Sequence, residues 1–309
     1  MNAKPDCIVC LMKQFLQICR MSGLNEPELN AAFFDLMKAL PEVSLSMSPP
    51  ESAAFITDMI AKVSGIADPF ETIKQESNEA ALKLYPELKI RVDNSDHPFA
   101  EALSLAIAGN LIDFGAKASL NLNDALAEIL DQPMIQEIEK GAGIKDELFA
   151  LDDFYIELKN ADSVLYLGDN AGEIVFDRIF IEALKKEFPE KPITFAYRGG
   201  PALNDALLKD VEDVGLSEIV ETMSSGCAAA GTILSKCSDE FIDRINSAGI
   251  IISKGQGNYE SLSGSPIENI WFLFRIKCAL VAEAAGGPEG KLVLTKNEAP
   301  ILDPIGQHV

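Results

Sequence analysis

The hydrophobic pattern changes character near residue 160 of this 309-residue chain. Before that point, apolar residues recur at the three- and four-residue spacing of an amphipathic helix, as in Ile8, Leu11, Phe15 and Ile18. Strand-like runs of Val, Ile and aromatic residues are nearly absent from this half. The pattern therefore predicts that the first half of the chain is helical.

Prolines and capping residues mark where the helices of this half begin. The prolines at 49 and 50 close a predicted loop over residues 44–50, because proline cannot continue a helix. Asp96 is expected to cap the helix that Pro98 opens. A further apolar face is formed by Leu103, Ile107, Leu111 and Phe114. Helices are predicted to begin near Glu51, Pro69, Pro98 and Asn123.

After residue 160, short apolar runs alternate with helical patterns. The helical patterns include residues 174–186 and 239–247. This alternation predicts a parallel sheet covered by helices on both faces. We expect an all-helical region over residues 1–158, with a possible subdivision near residue 65, and an α/β catalytic domain over residues 159–309. The predicted strands are residues 163–167, 193–197, 218–222, 249–252, 271–274 and 292–295.

The charge and composition of the chain disfavour some classes of binding partner. The chain has 26 Lys and Arg against 48 Asp and Glu, a formal net charge of -22. Such acidity disfavours nucleic acid and anionic membranes, and no stretch approaches the roughly 18 apolar residues of a membrane span. We therefore expect neither nucleic acid nor membrane as a partner. The short N-terminal apolar segment, interrupted by Lys13, does not predict a secretion signal, and six scattered cysteines fit a reducing cytoplasm.

Polar residues follow the ends of several predicted strands. Asp169, Asn170 and Glu173 follow the first strand, Asp205 follows the second, and Lys254 ends the fourth beside a glycine-rich turn. The carboxyl ends of parallel strands meet at one edge, where ligands bind. Carboxylate and amide oxygens suit a hard divalent cation, and a lysine can neutralise phosphate. These residues therefore indicate a metal-assisted phosphate site.

Each of these groups also has an ordinary structural interpretation. Asp169 or Asn170 could simply cap a helix, and Glu173 would be favoured in a helix's first turn by the helix dipole. Asp205 alone is more often a solvated acid, and Lys254 alone is more often a surface lysine. Their coincidence at successive strand ends favours a functional site.

Six motifs occur in order along nearly the whole chain. They are Cys7-Ile-Val-Cys10; Asp68-Pro-Phe70 with Lys74 and Ser77-Asn78; Gly109-Asn-Leu-Ile-Asp-Phe-Gly115; Leu167-Gly-Asp-Asn-Ala-Gly-Glu173; Leu203-Asn-Asp-Ala206; and Ser253-Lys-Gly-Gln-Gly-Asn258. Together they resemble the metal-dependent damage-control phosphatase family, formerly a domain-of-unknown-function family. The Cys-x-x-Cys start looks like the small branch of that family found in archaea and bacteria.

The resemblance implies a helical N-terminal part followed by a three-layer α/β/α Rossmann-like domain. It implies that Asp169, Asn170 and Asp205 bind Mn²⁺, Ni²⁺, Co²⁺ or Mg²⁺. It also implies that Lys254 contacts the phosphate of a small phosphorylated metabolite, such as a sugar phosphate, which the enzyme hydrolyses. The substrate-binding residues implied in this way are Glu173, Lys254, Gly255, Gly257, Asn258, Lys277, Asn110, Asp113 and Lys74.

Two other functions remain open at the level of sequence. The first is an S-adenosylmethionine-dependent carboxyl methyltransferase, although acids replace the Gly-x-Gly cluster expected after its first strand. The second is a non-catalytic metal or redox module built on Cys7 and Cys10, which equally suit a pair of small core residues. For the phosphatase itself, the attacking group is a water or Asp169. Neither of the two histidines, His97 and His308, is predicted to act as the general base.

Overall fold

The computed structural model describes residues 1–109, residue 127 and residues 146–298. The helices of the first half are α1 (Pro5–Met21), α2 (Glu26–Ala39), α3 (Pro49–Ser64), α4 (Glu71–Asn94) and α5 (Pro98–Ala108). The later helices are α6 (Leu151–Asn160), α7 (Glu173–Glu187), α8 (Leu208–Asp213), α9 (Asp239–Ser247), α10 (Gln256–Leu262) and α11 (Ala279–Ala285). The strands are β1 (Val164–Leu167), β2 (Ile193–Tyr197), β3 (Glu221–Ser224), β4 (Ile250–Lys254), β5 (Ile270–Arg275) and β6 (Leu292–Lys296).

The first three helices pack around a hydrophobic cluster of their own, in which Phe15, Leu36 and Ile60 are buried. The sequence defines the ends of these helices locally. Asn25 caps α2 by accepting a hydrogen bond from the backbone of Glu28, which in turn accepts one from the Asn25 backbone. The predicted helix starts near residues 51 and 69 fall at residues 49 and 71.

The start of α5 differs from its prediction. His97, not Asp96, is the residue that precedes the helix, and its backbone N–H donates to Ser95 Oγ. Pro98 nevertheless occupies the first turn, as its fixed φ favours. The predicted start near Asn123 and the apolar positions after residue 109 lie outside the described residues.

The six strands form one sheet in the order β3-β2-β1-β4-β5-β6. The first five strands of this order are parallel, and β6 runs antiparallel to β5. This confirms the mostly parallel sheet expected from the alternating segments. The third strand begins three residues later than predicted, because Ile219 and Val220 pack beside the core from the turn before it.

Both faces of the sheet are covered, which explains why its strands are apolar throughout. Val164 and Tyr166 of β1 join a cluster with α4, α5, α6 and α7. Leu165 and Leu167, which point to the opposite face, pack with residues of α9, α10 and α11. The α/β/α layering implied by the family resemblance is therefore present.

Helices α4 and α5 pack against α7 on one face of the sheet. Helix α3 instead contacts α10 near the start of that helix. The division into domains at residue 158, with a subdivision near residue 65, stays a prediction. Among the described helices, none is both long and apolar enough to span a bilayer.

Candidate functional site

The polar edge of the sheet opens between β1 and β4. The chain passes from β1 to β2 on one side and from β4 to β5 on the other, so the two loops that follow β1 and β4 diverge. Such a divergence creates a crevice at the carboxyl ends of the strands. Asp169 lies in the first loop and Gly255 in the second. A Cβ atom at Gly255 would lie 2.0 Å from Asp169 Oδ2, and its φ is +82°, so only glycine fits.

Asp205 reaches this crevice because the loop after β2 folds back along the loop after β1. Asn170 and Asp205 form an isolated antiparallel bridge. The Ala206 N–H donates to the Asp169 carbonyl at 2.8 Å, and the Ala171 N–H donates to the Asn204 carbonyl at 2.9 Å. Backbone pairing thus sets two acidic residues, far apart in sequence, side by side.

Arg198 is the functional candidate that the sequence analysis did not single out. Its Nε donates to Asp205 Oδ2 at 2.6 Å, and its Nη2 lies 3.7 Å from Asp169 Oδ1. All three side chains are buried, with 2–6% of their surfaces exposed. The signal for Arg198 was its position at the end of β2, directly before two glycines. It holds the Asp205 carboxylate by a hydrogen bond and lies within ion-pair distance of Asp169.

The site carries more negative charge than Arg198 balances. Burial first, and then the neighbouring Asp205 and Glu173, raise the pKa of Asp169 well above its ordinary value. Burial also raises the pKa of Asp205, while Arg198 opposes that rise. The Asn170 amide Nδ2 donates to Asp169 Oδ2 at 2.9 Å and to Glu173 Oε1 at 2.7 Å. Two buried carboxylates with a third beside them favour an added cation.

The chemistry of these donors fits a hard or borderline divalent cation. Across the described ranges, no group of three or more histidine, cysteine, aspartate or glutamate side chains is arranged to hold a metal ion. A cation here would therefore rely on Asp169, Asp205 and the amide oxygen of Asn170. In the structure that amide presents its nitrogen to the carboxylates, so ligation requires the amide to rotate. Oxygen ligands of this kind suit Mg²⁺, Mn²⁺, Co²⁺ and Ni²⁺.

The glycine-rich turn after β4 is held against both neighbouring loops. Asn258 is fully buried and donates to the carbonyls of Gly168 and Lys254. Its Oδ1 accepts from Thr232 Oγ1 at 2.8 Å, and that hydroxyl also meets Arg198 Nη1. At Gly257 a Cβ atom would lie 2.0 Å from a backbone oxygen of the loop after β3. Asn258 therefore holds the loops after β1, β3 and β4 together, and its expected contact with substrate stays a prediction.

In the structure, Lys254 points into the core beneath α5 and α7, and its expected contact with phosphate stays a prediction. Its Nζ donates to Asp177 Oδ1 at 2.5 Å and to the Ala106 carbonyl at 2.8 Å, with 1% of the residue exposed. Tyr166 donates to the same carboxylate oxygen. Lys254 thus ties β4 to α5 and α7. Asp177 is a second buried residue that the sequence analysis missed.

Two other predicted substrate residues, Lys277 and Lys74, have different surroundings. Lys277 is exposed, and its positive charge opposes the rise in pKa of both Asp169 and Asp205. Lys74 instead lies in a neighbouring recess of about 240 Å³, where its Nζ is 2.7 Å from Asp68 Oδ2. Asn78 connects that recess to the site, because its Oδ1 accepts from the Gly172 N–H at 2.7 Å.

The remaining predicted residues lie elsewhere. Asn110 and Asp113 are outside the described residues. Cys7 and Cys10 lie in the first two turns of α1, and burial raises the pKa of both thiols. The electrostatic neighbours of both thiols include Glu260 and Cys278.

Glu260 of α10 gives a prediction about pH. Burial raises the pKa of Glu260 to about 7, although Gln256, the Met1 amino group and Lys277 oppose the rise. The unfolded chain loses this proton near the ordinary value of 4.5, so the unfolded state ionises first as pH rises. The protonated Glu260 side chain therefore contributes stability that is fully present below about pH 4.5. This contribution is lost as pH rises through about 7, which lowers the free energy of unfolding by roughly 3 kcal/mol. Glu260→Gln should remove that loss, measured as the free energy of unfolding in urea at about pH 5 and about pH 8. An unchanged pH dependence in the variant would refute the assignment.

Comparisons with known proteins cover almost the whole chain. The model of the damage-control phosphatase ARMT1-like domain matches residues 3–293. A protein of Pyrococcus horikoshii named damage-control phosphatase is 32% identical over 301 residues, which are 96% of this chain and 99% of that protein. An uncharacterized protein of Methanocaldococcus jannaschii is 31% identical, with 95% of each chain covered. The crystal structure of a DUF89 family protein from Pyrococcus horikoshii superposes with a TM-score of 0.84 at 31% identity, covering 96% of this chain and 100% of that one.

Proposed function

The chain belongs to the damage-control phosphatase ARMT1-like family, and on that premise we propose that it is a divalent-metal-dependent phosphomonoester hydrolase acting on small phosphorylated metabolites such as sugar phosphates. The family resemblance inferred from the motifs is confirmed. The family and its named relatives make the chain a phosphatase of metabolite damage control. The metal requirement rests on one observation: Asp169 and Asp205 converge, buried, with more negative charge than Arg198 balances.

Asp169, Asp205 and Asn170 are the residues that would hold the cation, which we expect to be Mn²⁺, Ni²⁺, Co²⁺ or Mg²⁺. When bound, the cation supplies Lewis-acid polarisation of a phosphoryl oxygen. Arg198 keeps the Asp205 carboxylate oriented toward the crevice through its 2.6 Å contact. Gly255 leaves the space that the Asp169 carboxylate occupies.

The phosphate of the substrate would meet Lys277 at the open side of the site. Lys277 is exposed yet close enough to influence both aspartates, whereas the ammonium group of Lys254 is held by Asp177. A phosphate bound there would carry negative charge that Lys277 neutralises. The N–H groups of the glycine-rich turn are candidates for further hydrogen bonds to phosphate.

We propose that water attacks phosphorus. Asp169 is poorly placed as a nucleophile, because its carboxylate abuts Gly255 and would be engaged by the cation. Glu173, buried in the first turn of α7, would orient the water and accept its proton as the phosphorus–oxygen bond to the leaving alcohol breaks. The leaving oxygen then takes a proton from solvent. The methyltransferase alternative gains no support from the turn after β1, where the acids face Gly255.

The test is phosphate release from a panel of sugar phosphates, nucleotides and p-nitrophenyl phosphate, each with EDTA, Mg²⁺, Mn²⁺, Co²⁺ or Ni²⁺. We expect turnover that requires a metal and is greatest on small phosphate esters. Asp169→Ala should lower turnover by about 100-fold or more, because it removes a carboxylate from the reacting centre. Circular dichroism would verify that the variant is folded.

A matched control is Asp213→Ala, which removes an acid paired with Lys209 on the surface of α8. It should leave turnover unchanged. Phosphate release that persists in EDTA, or that Asp169→Ala leaves intact, would refute the metal site. Turnover confined to nucleotides would refute the substrate class while leaving the metal site standing.

A further inference from the structure

Two cysteines that the phosphatase site does not use lie together behind Arg198. Cys227 follows β3, and Cys237 follows the short 3-10 turn Leu234–Lys236. Cys237 packs against the small apolar cluster that contains Cys227. Each sulfur also meets a carbonyl of the segment between them: Cys227 Sγ is 3.7 Å from the Gly231 oxygen, and Cys237 Sγ is 3.4 Å from the Ile233 oxygen.

The pKa of Cys227 shifts in the opposite direction from those of Cys7 and Cys10. The hydrogen bond from Cys237 lowers the pKa of Cys227 to about 6, against the effect of burial and with help from Arg198 and Lys236. The same contact raises the pKa of Cys237. The contact therefore favours ionisation of Cys227 before Cys237. In contrast, burial raises the pKa of Cys7 and Cys10, which disfavours their thiolates.

The segment that carries the pair is also a wall of the candidate site. The Gly199 N–H, next to Arg198, donates to the Cys227 carbonyl at 2.9 Å. Thr232, midway between the two cysteines, contacts Arg198 Nη1 and donates to Asn258. A covalent change at the pair would therefore occur in the segment that contacts Arg198, the residue that holds Asp205.

We propose that Cys227 and Cys237 form a redox-active dithiol that closes to an intramolecular disulfide by exchange with low-molecular-weight disulfides. Cys237 is half-buried and Cys227 is fully buried, so the incoming disulfide meets Cys237 first. This places the modification on a pair distinct from the Cys-x-x-Cys motif of α1. The inference does not depend on the phosphatase activity.

The exchange balances with oxidised glutathione as the oxidant. Cys237 passes its proton to the Cys227 thiolate and attacks one sulfur of the glutathione disulfide, releasing a glutathione thiolate. That thiolate takes the proton from Cys227. The restored Cys227 thiolate then attacks the Cys237 sulfur of the mixed disulfide and releases the second glutathione as a thiolate, which takes a proton from solvent. Two protein thiols are oxidised, and one glutathione disulfide is reduced to two thiols.

The experiment is to equilibrate the reduced, folded full chain with mixtures of reduced and oxidised glutathione, then to alkylate it in denaturant and analyse its peptides by mass spectrometry. We expect a peptide pair linked through Cys227 and Cys237 in mixtures where Cys7 and Cys10 remain alkylated. Cys237→Ser should abolish the linked pair. The matched variant Cys10→Ser should leave its yield unchanged.

The equilibrium constant for closing this disulfide distinguishes a preformed pair from chance contact. It should be at least about tenfold larger in the folded chain than in urea, because the fold raises the effective concentration of one thiol at the other. Full alkylation of both cysteines in the most oxidising mixture, or an equal constant in urea, would overturn the proposal. Linkage of Cys7 to Cys10 in preference to this pair would overturn it as well.

Discussion

Gly255→Ala is expected to lower phosphatase turnover by about 100-fold or more, because the new methyl group must displace the Asp169 carboxylate. The added Cβ would lie 2.0 Å from Asp169 Oδ2 and 2.2 Å from its Cγ, well inside contact distance. The backbone cannot relieve the clash easily, since Gly255 directly precedes α10 and its N–H donates to the Leu273 carbonyl. Shifting a catalytic carboxylate by about 1 Å is enough for a loss of this size.

Gly264→Ala is the matched control for the backbone contribution. Its φ of +72° is similarly left-handed, but no atom lies within 4 Å of the position of the new Cβ. We expect it to cost about 1–2 kcal/mol of stability and to leave turnover unchanged. Turnover and urea unfolding, measured for both variants, separate strain from displacement. Equal turnover in Gly255→Ala and Gly264→Ala would show that Gly255 does not set the position of Asp169.

The strand ends were predictable because one rule governs them. Six apolar runs, most of them separated by helical patterns, predict a mostly parallel sheet, and the residues after its parallel strands must share an edge. Asp169, Asn170 and Gly255 could therefore be placed together from the sequence. Local caps such as Asn25 with Glu28 are equally visible, since they involve residues three apart.

The partners of these residues could not be read from the sequence in the same way. Asp205 meets Asp169 only because the loop after β2 pairs with residues 169–171, and nothing local specifies that pairing. The position of Arg198 depends on the same fold-back, since its N–H donates to the Ala206 carbonyl. Its charge was visible at the strand end, but the carboxylates it would bind were not.

The inward orientation of Lys254 could have been predicted from the sequence. Side chains alternate along a strand, so Lys254 shares a face with Ile250 and Ile252. Both isoleucines lie in the cluster beneath α5 and α7, and the lysine points there too. The acidic partner was also visible, because Asp177 interrupts an apolar stretch of α7 between Phe176 and Ile179.

The buried Lys254–Asp177 pair leads to the largest expected loss of stability. Lys254→Met should cost about 3–5 kcal/mol, because it leaves Asp177 in the interior without its counter-charge. Asp177 is completely buried, and in the described part of the chain its Oδ2 has no hydrogen-bond partner. Among the described residues, the Tyr166 hydroxyl would remain to donate to Oδ1. The measurement is the free energy of unfolding in urea at neutral pH.

A second variant separates loss of charge balance from loss of packing. Adding Asp177→Asn to Lys254→Met should restore part of the lost stability, since the buried charge is then gone and an amide can still accept from Tyr166. Lys209→Met serves as the exposed control, because it breaks an i,i+4 pair with Asp213 on the surface and should change nothing measurable. If Lys254→Met costs as little stability as Lys209→Met, then Asp177 does not hold the ammonium group of Lys254. In that case the better interpretation is that Lys254 lies in the crevice and binds phosphate.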